Sequence, residues 1–167
     1  CDIYINGMIM DPFNKYFVIN LAHTGGDCEM KKQNIPIHIS IRVDQSKIVR
    51  NSLINGEWGQ EETNMEGSFP FTIGSMFEIC IKNRLESVSI IINGQSCFEY
   101  NHRHDPKTID TLEINGSVRL DSIRYRFDWI LLLINQIDKN DGKKIWSFFS
   151  CNDYLEIVVR NKNEKKN

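Results

Sequence analysis

Short runs of alternating or uniformly apolar residues, separated by turn residues, recur through the first 125 positions of this 167-residue chain. Such runs are typical of β-strands, whose side chains point alternately to two faces. No long segment with a helical period lies between them, so parallel strands joined by helices are not expected. The predicted strands cover residues 2–9, 16–21, 35–43, 47–52, 69–73, 76–83, 87–92, 96–101, 111–115 and 118–125.

Composition supports the same fold class. The chain has 24 isoleucines and a single alanine. β-Branched side chains are restricted on a helix but fit a pleated sheet, whereas alanine is the strongest helix former. An all-helical protein is therefore excluded, and many short strands predict an all-β fold of two packed antiparallel sheets, a β-sandwich.

Two Asn-Gly pairs indicate turns. Asn93-Gly94 separates two strand-like runs, and Asn115-Gly116 separates another two. Type I′ turns need a positive φ at both central residues, which asparagine and glycine tolerate best. We therefore predict a β-hairpin at each pair.

Charge and cysteine content narrow the class of protein. A formal net charge of −2 gives no field that would gather a nucleic acid. The longest apolar run, 129–134, is far too short to span a bilayer, and the first residues do not resemble a signal peptide, so we expect neither a transmembrane helix nor a leader. Five cysteines without a CxxC pair fit a reducing compartment, so we expect a cytoplasmic protein.

The character of the chain changes after residue 125. We predict one domain over residues 1–125 and a C-terminal extension over residues 126–167, which ends in a polar basic tail. Because the chain opens with Cys1 rather than methionine, we expect a fragment or a processed product.

A group of polar residues could form a ligand-binding surface. In the strand 35–43, His38, Ser40 and Arg42 alternate with isoleucines and so stand in a row on one face. Asn51 on the next strand extends that row sideways, and Trp58 follows shortly after. The sequence thus predicts that the indole ring of Trp58 lies beside several hydrogen-bonding side chains.

That combination suits a sugar. One face of a pyranose carries C–H bonds that can lie on an indole, and its hydroxyl groups both donate and accept hydrogen bonds. Arg42 offers fixed donors, Glu61 accepts, and His38, Ser40 and Asn51 can do either. Removing the sugar hydroxyls from water offsets most of the free energy gained from these hydrogen bonds. We therefore expect dissociation constants from micromolar to millimolar.

Other interpretations of these residues exist. The polar row alone fits the solvated face of an ordinary strand, and a tryptophan before glycine is usually core. His102 and His104 suggest a metal cluster, but a zinc site needs further ligands. Adjacent Glu61 and Glu62 point to opposite faces of a strand and cannot flank one glycosidic bond. We therefore predict no enzyme, no catalytic residue, no metal site and no cofactor.

Taken in order, these residues resemble the galectin family of β-galactoside-binding lectins. Its core motifs are His-x-Asn-Pro-Arg, Val-x-Asn and Trp-Gly-x-Glu-x-Arg. The likeness extends over residues 2–125, about three quarters of the chain, and implies a jelly-roll, concanavalin-like β-sandwich. The positions that correspond to these motifs here are His38, Ser40, Arg42, Val49, Asn51, Trp58, Gly59, Glu61 and Thr63.

The resemblance also implies roles. His38 and Arg42 would bind the axial 4-hydroxyl of galactose. Asn51 and Glu61 would bind its 6-hydroxyl. Trp58 would stack on the apolar face of the ring.

Two positions depart from the family pattern. Ser40 and Ile41 replace the family's Asn-Pro, so one contact to the 4-hydroxyl is shorter or mediated by water. Thr63 replaces the second family arginine, which removes a cation that orients Glu61 and reaches the neighbouring sugar. These departures support an alternative, a galectin-like protein-interaction module with weakened or lost sugar binding.

The resemblance implies partners and location as well. We expect binding to β-galactoside glycans of glycoproteins or glycolipids, homodimers through edge strands, and unconventional secretion from the cytoplasm. The family's first strand precedes residue 2, and its absence would leave an open sheet edge. One hypothesis is that residues 154–159 fold back to occupy that place.

Overall fold

The computed structural model describes residues 2–10, 16–25 and 34–126, and beyond these the strands at 136–137, 144–149 and 154–160. Regular structure in these residues is almost entirely β, with two 3-10 turns at Val43–Gln45 and Pro106–Thr108. The strands are β1 Asp2–Ile9, β2 Tyr16–His23, β3 Asn34–Arg42, β4 Lys47–Ile54, β5 Glu57–Trp58, β6 Met76–Asn83, β7 Ser87–Ile92, β8 Gln95–Asn101, β9 Thr111–Gly116, β10 Val118–Arg126, β11 Gln136–Ile137, β12 Lys144–Phe149 and β13 Tyr154–Arg160.

These strands form two sheets. The first has the order β10-β1-β6-β7-β8, and the second has the order β11-β12-β13-β9-β2-β3-β4-β5. Every pairing is antiparallel except that of β13 with β9, which is parallel. The predicted all-β sandwich is confirmed.

Isoleucines from both sheets fill the space between them. On β3, Ile37, Ile39 and Ile41 are buried, and they belong to the same buried cluster as Ile3 and Ile5 on β1 of the other sheet. Alternation along β3 therefore turns the residues between these isoleucines to the outer face of the second sheet.

The segment 69–73 is not a strand, although its apolar residues predicted one. Pro70 cannot donate a backbone hydrogen bond to a ladder. Phe71 is buried instead, with its ring 5.8 Å from Phe17 and 5.5 Å from Phe77, edge-on to both. The segment contributes a core side chain rather than a strand.

The Asn-Gly pairs behave differently from one another. At Asn93-Gly94, φ values of 50° and 81° form the turn between β7 and β8, as predicted. The hairpin predicted at Asn115-Gly116 is wrong, because β9 belongs to the second sheet and β10 to the first. Gly116 is required there for another reason: at φ 124°, a Cβ atom would lie 2.7 Å from Cα of Phe17.

The C-terminal strands extend the second sheet. β13 pairs with β9 over Glu156 to Arg160, so a segment that we expected to fold back does lie on the edge of β9. Whether it takes the place of a family strand stays a prediction. The basic tail after residue 160 lies outside the described residues.

Two further sequence expectations concern thiols and membranes. Cys80 and Cys97 are buried free thiols, while Cys1, Cys28 and Cys151 lie outside the described residues. Burial raises the pKa of both described thiols, which keeps them protonated and unreactive. In the described residues, we find no helix with the length and apolar character needed to cross a membrane.

Candidate functional site

The predicted polar row lies on the outer face of the second sheet. His38, Ser40 and Arg42 project from β3, and the strand register sets His38 opposite Asn51 on β4. On the other side of β3, His38 lies opposite Asn20 on β2. Directly paired residues share a face, so β2, β3 and β4 all contribute to one polar surface.

Trp58 borders this surface on β5. The turn Asn55-Gly56, with φ values of 53° and 82°, brings β5 back along β4 and sets Trp58 opposite Leu53. The indole is 53% exposed, and its centroid lies 4.8 Å from that of His38 at an interplanar angle of 67°. A solvent-open aromatic face thus stands beside the imidazole.

The orientation of His38 is set by a chain of buried side chains. Asn20 donates from Nδ2 to the Glu113 carboxylate at 2.9 Å, which leaves its carbonyl oxygen facing His38. Nδ1 of His38 lies 2.7 Å from that oxygen. Because a carbonyl can only accept, Nδ1 carries the proton and Nε2 is left to meet a ligand.

Burial lowers the pKa of His38, and the positive charge of Arg42 lowers it further. The imidazole is therefore neutral at physiological pH, and its Nε2 is a hydrogen-bond acceptor.

Arg42 and Glu61 form an ion pair across the surface. Nη2 of Arg42 lies 3.1 Å from Oε1 of Glu61, with 32% and 52% of the two side chains exposed. Arg42 thereby orients Glu61. Both charged groups remain open to a ligand.

The other two predicted site residues, Ser40 and Thr63, differ in their exposure to solvent. Ser40 is buried, because Val18 and Val49 flank it on the neighbouring strands. Thr63 is exposed in the segment after β5.

Asn51 is held from three sides. Its Nδ2 donates to the carbonyl of Gly59 at 2.9 Å, and its Oδ1 accepts from the backbone N–H of Ser52 at 2.8 Å. Oδ1 also accepts from Nη1 of Arg103 at 3.2 Å. The side chain is only 4% exposed, so its orientation is fixed by the protein.

Glu61 and Glu62 serve different partners. While Glu61 faces Arg42, Oε1 of Glu62 accepts from Nη2 of Arg103 at 2.6 Å. Glu62 is also bridged through its backbone to Arg50 on β4, with hydrogen bonds of 2.9 Å in both directions. The expectation that the two carboxylates diverge agrees with these contacts.

Sequence reasoning missed Asn20, Glu113 and Arg103 as supports of this surface. A polar residue on an otherwise apolar strand was the available signal for Asn20 and Glu113. It could not show that residues 93 positions apart are hydrogen-bonded. For Arg103, the sequence offered a match to the end of a family strand and a weak metal cluster with its histidine neighbours, and neither indicated a contact with Asn51.

A metal centre finds no support among the described residues. They contain no group of three histidine, cysteine or acidic side chains close enough to hold an ion. Nε2 of His102 lies 2.9 Å from the backbone carbonyl of Arg84, and Asp105 accepts from the N–H of Lys107. Both side chains have local structural roles.

The site therefore combines an exposed indole, an acceptor nitrogen, a guanidinium, a carboxylate and a fixed amide on one face. Such a surface can bind a neutral polyhydroxylated ligand whose two faces differ in polarity. We see no nucleophile with an activating base among these groups.

Comparison with known proteins gives a consistent picture. The profile of the family described as galactoside-binding lectin matches residues 2–125. A 32 kDa β-galactoside-binding lectin of Haemonchus contortus is 37% identical over 110 residues, which cover 66% of this chain and 36% of that protein. Human galectin-4 is 36% identical over 124 residues, or 73% of this chain and 36% of that protein. The match thus spans about a third of each relative.

Solved structures agree on the fold. Sheep galectin-11 in complex with glycerol superposes with a TM-score of 0.64 at 19% identity, covering 73% of this chain and 86% of that one. A galectin of Caenorhabditis elegans gives a TM-score of 0.61 at 21% identity, covering 71% and 76%.

Proposed function

Because the chain belongs to the family of galactoside-binding lectins, we propose that it binds β-galactosides non-covalently through the outer face of β3, β4 and β5. The family consists of lectins and not of enzymes. The observation that carries the proposal is the exposed Trp58 indole beside His38 on one face of the second sheet.

Each group has a role in this proposal. The C–H face of galactose stacks on Trp58, which provides apolar contact without hydrogen bonds. The axial 4-hydroxyl donates to Nε2 of His38 and accepts from Arg42. Ser40 reaches that hydroxyl at most through water, because it is buried between two valines.

The 6-hydroxyl completes the recognition. Its oxygen accepts from the amide of Asn51, and its proton is donated to Glu61. Arg42 takes part in binding both hydroxyl groups, because it donates to the 4-hydroxyl and also pairs with Glu61 at 3.1 Å. Thr63 contributes no charge, so contacts to a second sugar are weaker than an arginine there would give.

A galactose resin and calorimetric titration with lactose test the proposal. The wild type is expected to bind the resin and to be released by lactose but not by maltose. Trp58→Ala should weaken lactose binding by about tenfold or more, which corresponds to roughly 1.4 kcal/mol.

Met76→Ala is the matched control, since Met76 is 52% exposed on the first sheet and lies outside the site. It should bind as the wild type does. Undiminished lactose binding by Trp58→Ala would refute the proposal. A wild type that folds but binds no galactoside would instead favour the protein-interaction module, as Ser40 and Thr63 suggest.

A further inference from the structure

Arg103 enters the site from outside the strands that form it. It follows β8, which belongs to the first sheet, yet its guanidinium reaches Asn51 and Glu62. The guanidinium carbon also lies 5.0 Å from the centroid of the Tyr100 ring. A planar group that is bonded through both amino nitrogens and stacked on a ring has little freedom to move.

The bonds to Asn51 determine what this residue can offer a ligand. Both lone pairs of Oδ1 are used, one by the Ser52 N–H and one by Arg103. One hydrogen of Nδ2 is given to the carbonyl of Gly59. Within the described part of the chain, the other Nδ2 hydrogen is the one group of this amide that has no partner.

We infer that Arg103 is a positioning residue of the sugar site, which acts through Asn51 and makes its amide a pure donor toward the ligand. The inference rests on the proposed function and deepens it. Asn51 then selects a ligand oxygen that accepts, the 6-hydroxyl of galactose. Without Arg103, a lone pair of Oδ1 becomes free and the side chain loses one of its three anchors.

Gly59 belongs to the same arrangement. A Cβ atom at this position would lie 2.7 Å from Nη1 of Arg103 and 3.1 Å from Oδ1 of Asn51. An alanine there must displace the guanidinium, because that contact is too short for any real Cβ. Gly59→Ala is therefore expected to reproduce the loss of Arg103 while leaving the arginine in the chain.

Lysine cannot take over this role. The two amino nitrogens of Arg103 serve two different acceptors, with Nη1 on Asn51 and Nη2 on Glu62. A single ammonium group lacks the planar fork that reaches both in a fixed geometry. Arg103→Lys should therefore behave like Arg103→Met in sugar binding, although it keeps the charge.

The test compares two ligands by calorimetry, methyl β-galactoside and its 6-deoxy analogue. Arg103→Met is expected to weaken the galactoside by about fivefold to tenfold and the 6-deoxy analogue by less than twofold, because the analogue lacks the acceptor that Asn51 meets. Gly59→Ala should show the same difference, and combining both substitutions should cost little more than either alone. Arg119→Met, which removes an exposed arginine paired with Asp121, is the control and should change neither affinity.

The outcomes separate this inference from the function on which it rests. A wild type that binds neither ligand refutes the proposed function. If the wild type binds but Arg103→Met weakens both ligands equally or neither, the positioning role is wrong. NMR spectra of the protein without sugar add a measurement that needs no ligand. The side-chain amide signals of Asn51 should shift in Arg103→Met and stay in place in Arg119→Met.

Discussion

At the scale of single residues, the properties of the site depend on side chains that do not face the ligand. Glu113 orients Asn20, Asn20 orients His38, and each link is a hydrogen bond shorter than 3 Å. The Glu113 carboxylate and the Asn20 carbonyl oxygen can only accept, so this chain of contacts determines which nitrogen of His38 carries the proton. The imidazole is thereby prepared as an acceptor before any ligand arrives.

The pH dependence of binding should report this state. Burial and Arg42 lower the pKa of His38, so the folded protein takes up this proton less readily than a free imidazole, whose pKa is about 6.5. Galactoside affinity should stay constant as the pH falls from 7.5 to about 6.5. Below the pKa of His38 it should fall by about tenfold per pH unit, because the protonated ring has no acceptor.

Titration calorimetry across this range measures the affinity, and histidine ring NMR signals follow the proton itself. Affinity that already falls together with an ordinary histidine near pH 6.5 would contradict the prediction.

At the scale of the strand, β4 serves both the site and the core. Asn51 projects outward, while its neighbour Arg50 projects inward and is completely buried. Nη1 of Arg50 donates to the carbonyl of Asn64 at 2.6 Å, and its guanidinium lies 4.4 Å from the centroid of Phe98. The arginine therefore ties the segment after β5 to the strand that carries Asn51.

Replacing Arg50 by alanine should lower the free energy of unfolding by about 2–4 kcal/mol, because it leaves a cavity and an unbonded carbonyl at Asn64. Urea denaturation measures the change. The exposed Arg119 provides the comparison, since Arg119→Ala should cost less than about 1 kcal/mol. Equal losses in the two variants would show that Arg50 does not stabilise this segment.

At the scale of the whole molecule, the second sheet is larger than the first: the described residues form eight strands in the second sheet and five in the first. β13 adds to β9 by parallel pairing, and β12 and β11 follow outward. The backbone groups of β9 that face away from β2 are therefore paired within the chain rather than left for another molecule.

Deletion of residues 127–167 should expose this edge of β9. We expect a lower melting temperature and greater self-association, measured by sedimentation velocity over a range of concentrations. Deletion of residues 161–167 alone, which leaves β13 intact, is the matched control and should change neither property. Unchanged melting temperature and self-association in the longer deletion would argue against a structural role for β13.

Local chemistry in the sequence determined much of this protein. Alternation along 35–43 determined which side chains of β3 enter the core and which face outward, because side-chain direction follows from the strand backbone alone. Asn93-Gly94 specified its turn for a similar reason, and the ordered motifs from His38 to Glu61 identified the family.

Only the tertiary structure decided how distant strands meet. It set Glu113 beside Asn20 and brought Arg103 from the first sheet to Asn51, and both contacts join residues more than 50 positions apart. It also decided that the chain crosses from one sheet to the other at Asn115-Gly116, and that Phe71 packs in the core although it lies in a loop. Strand order depends on which faces and edges cover one another in the folded chain, and a local pattern of polar and apolar residues does not contain that information.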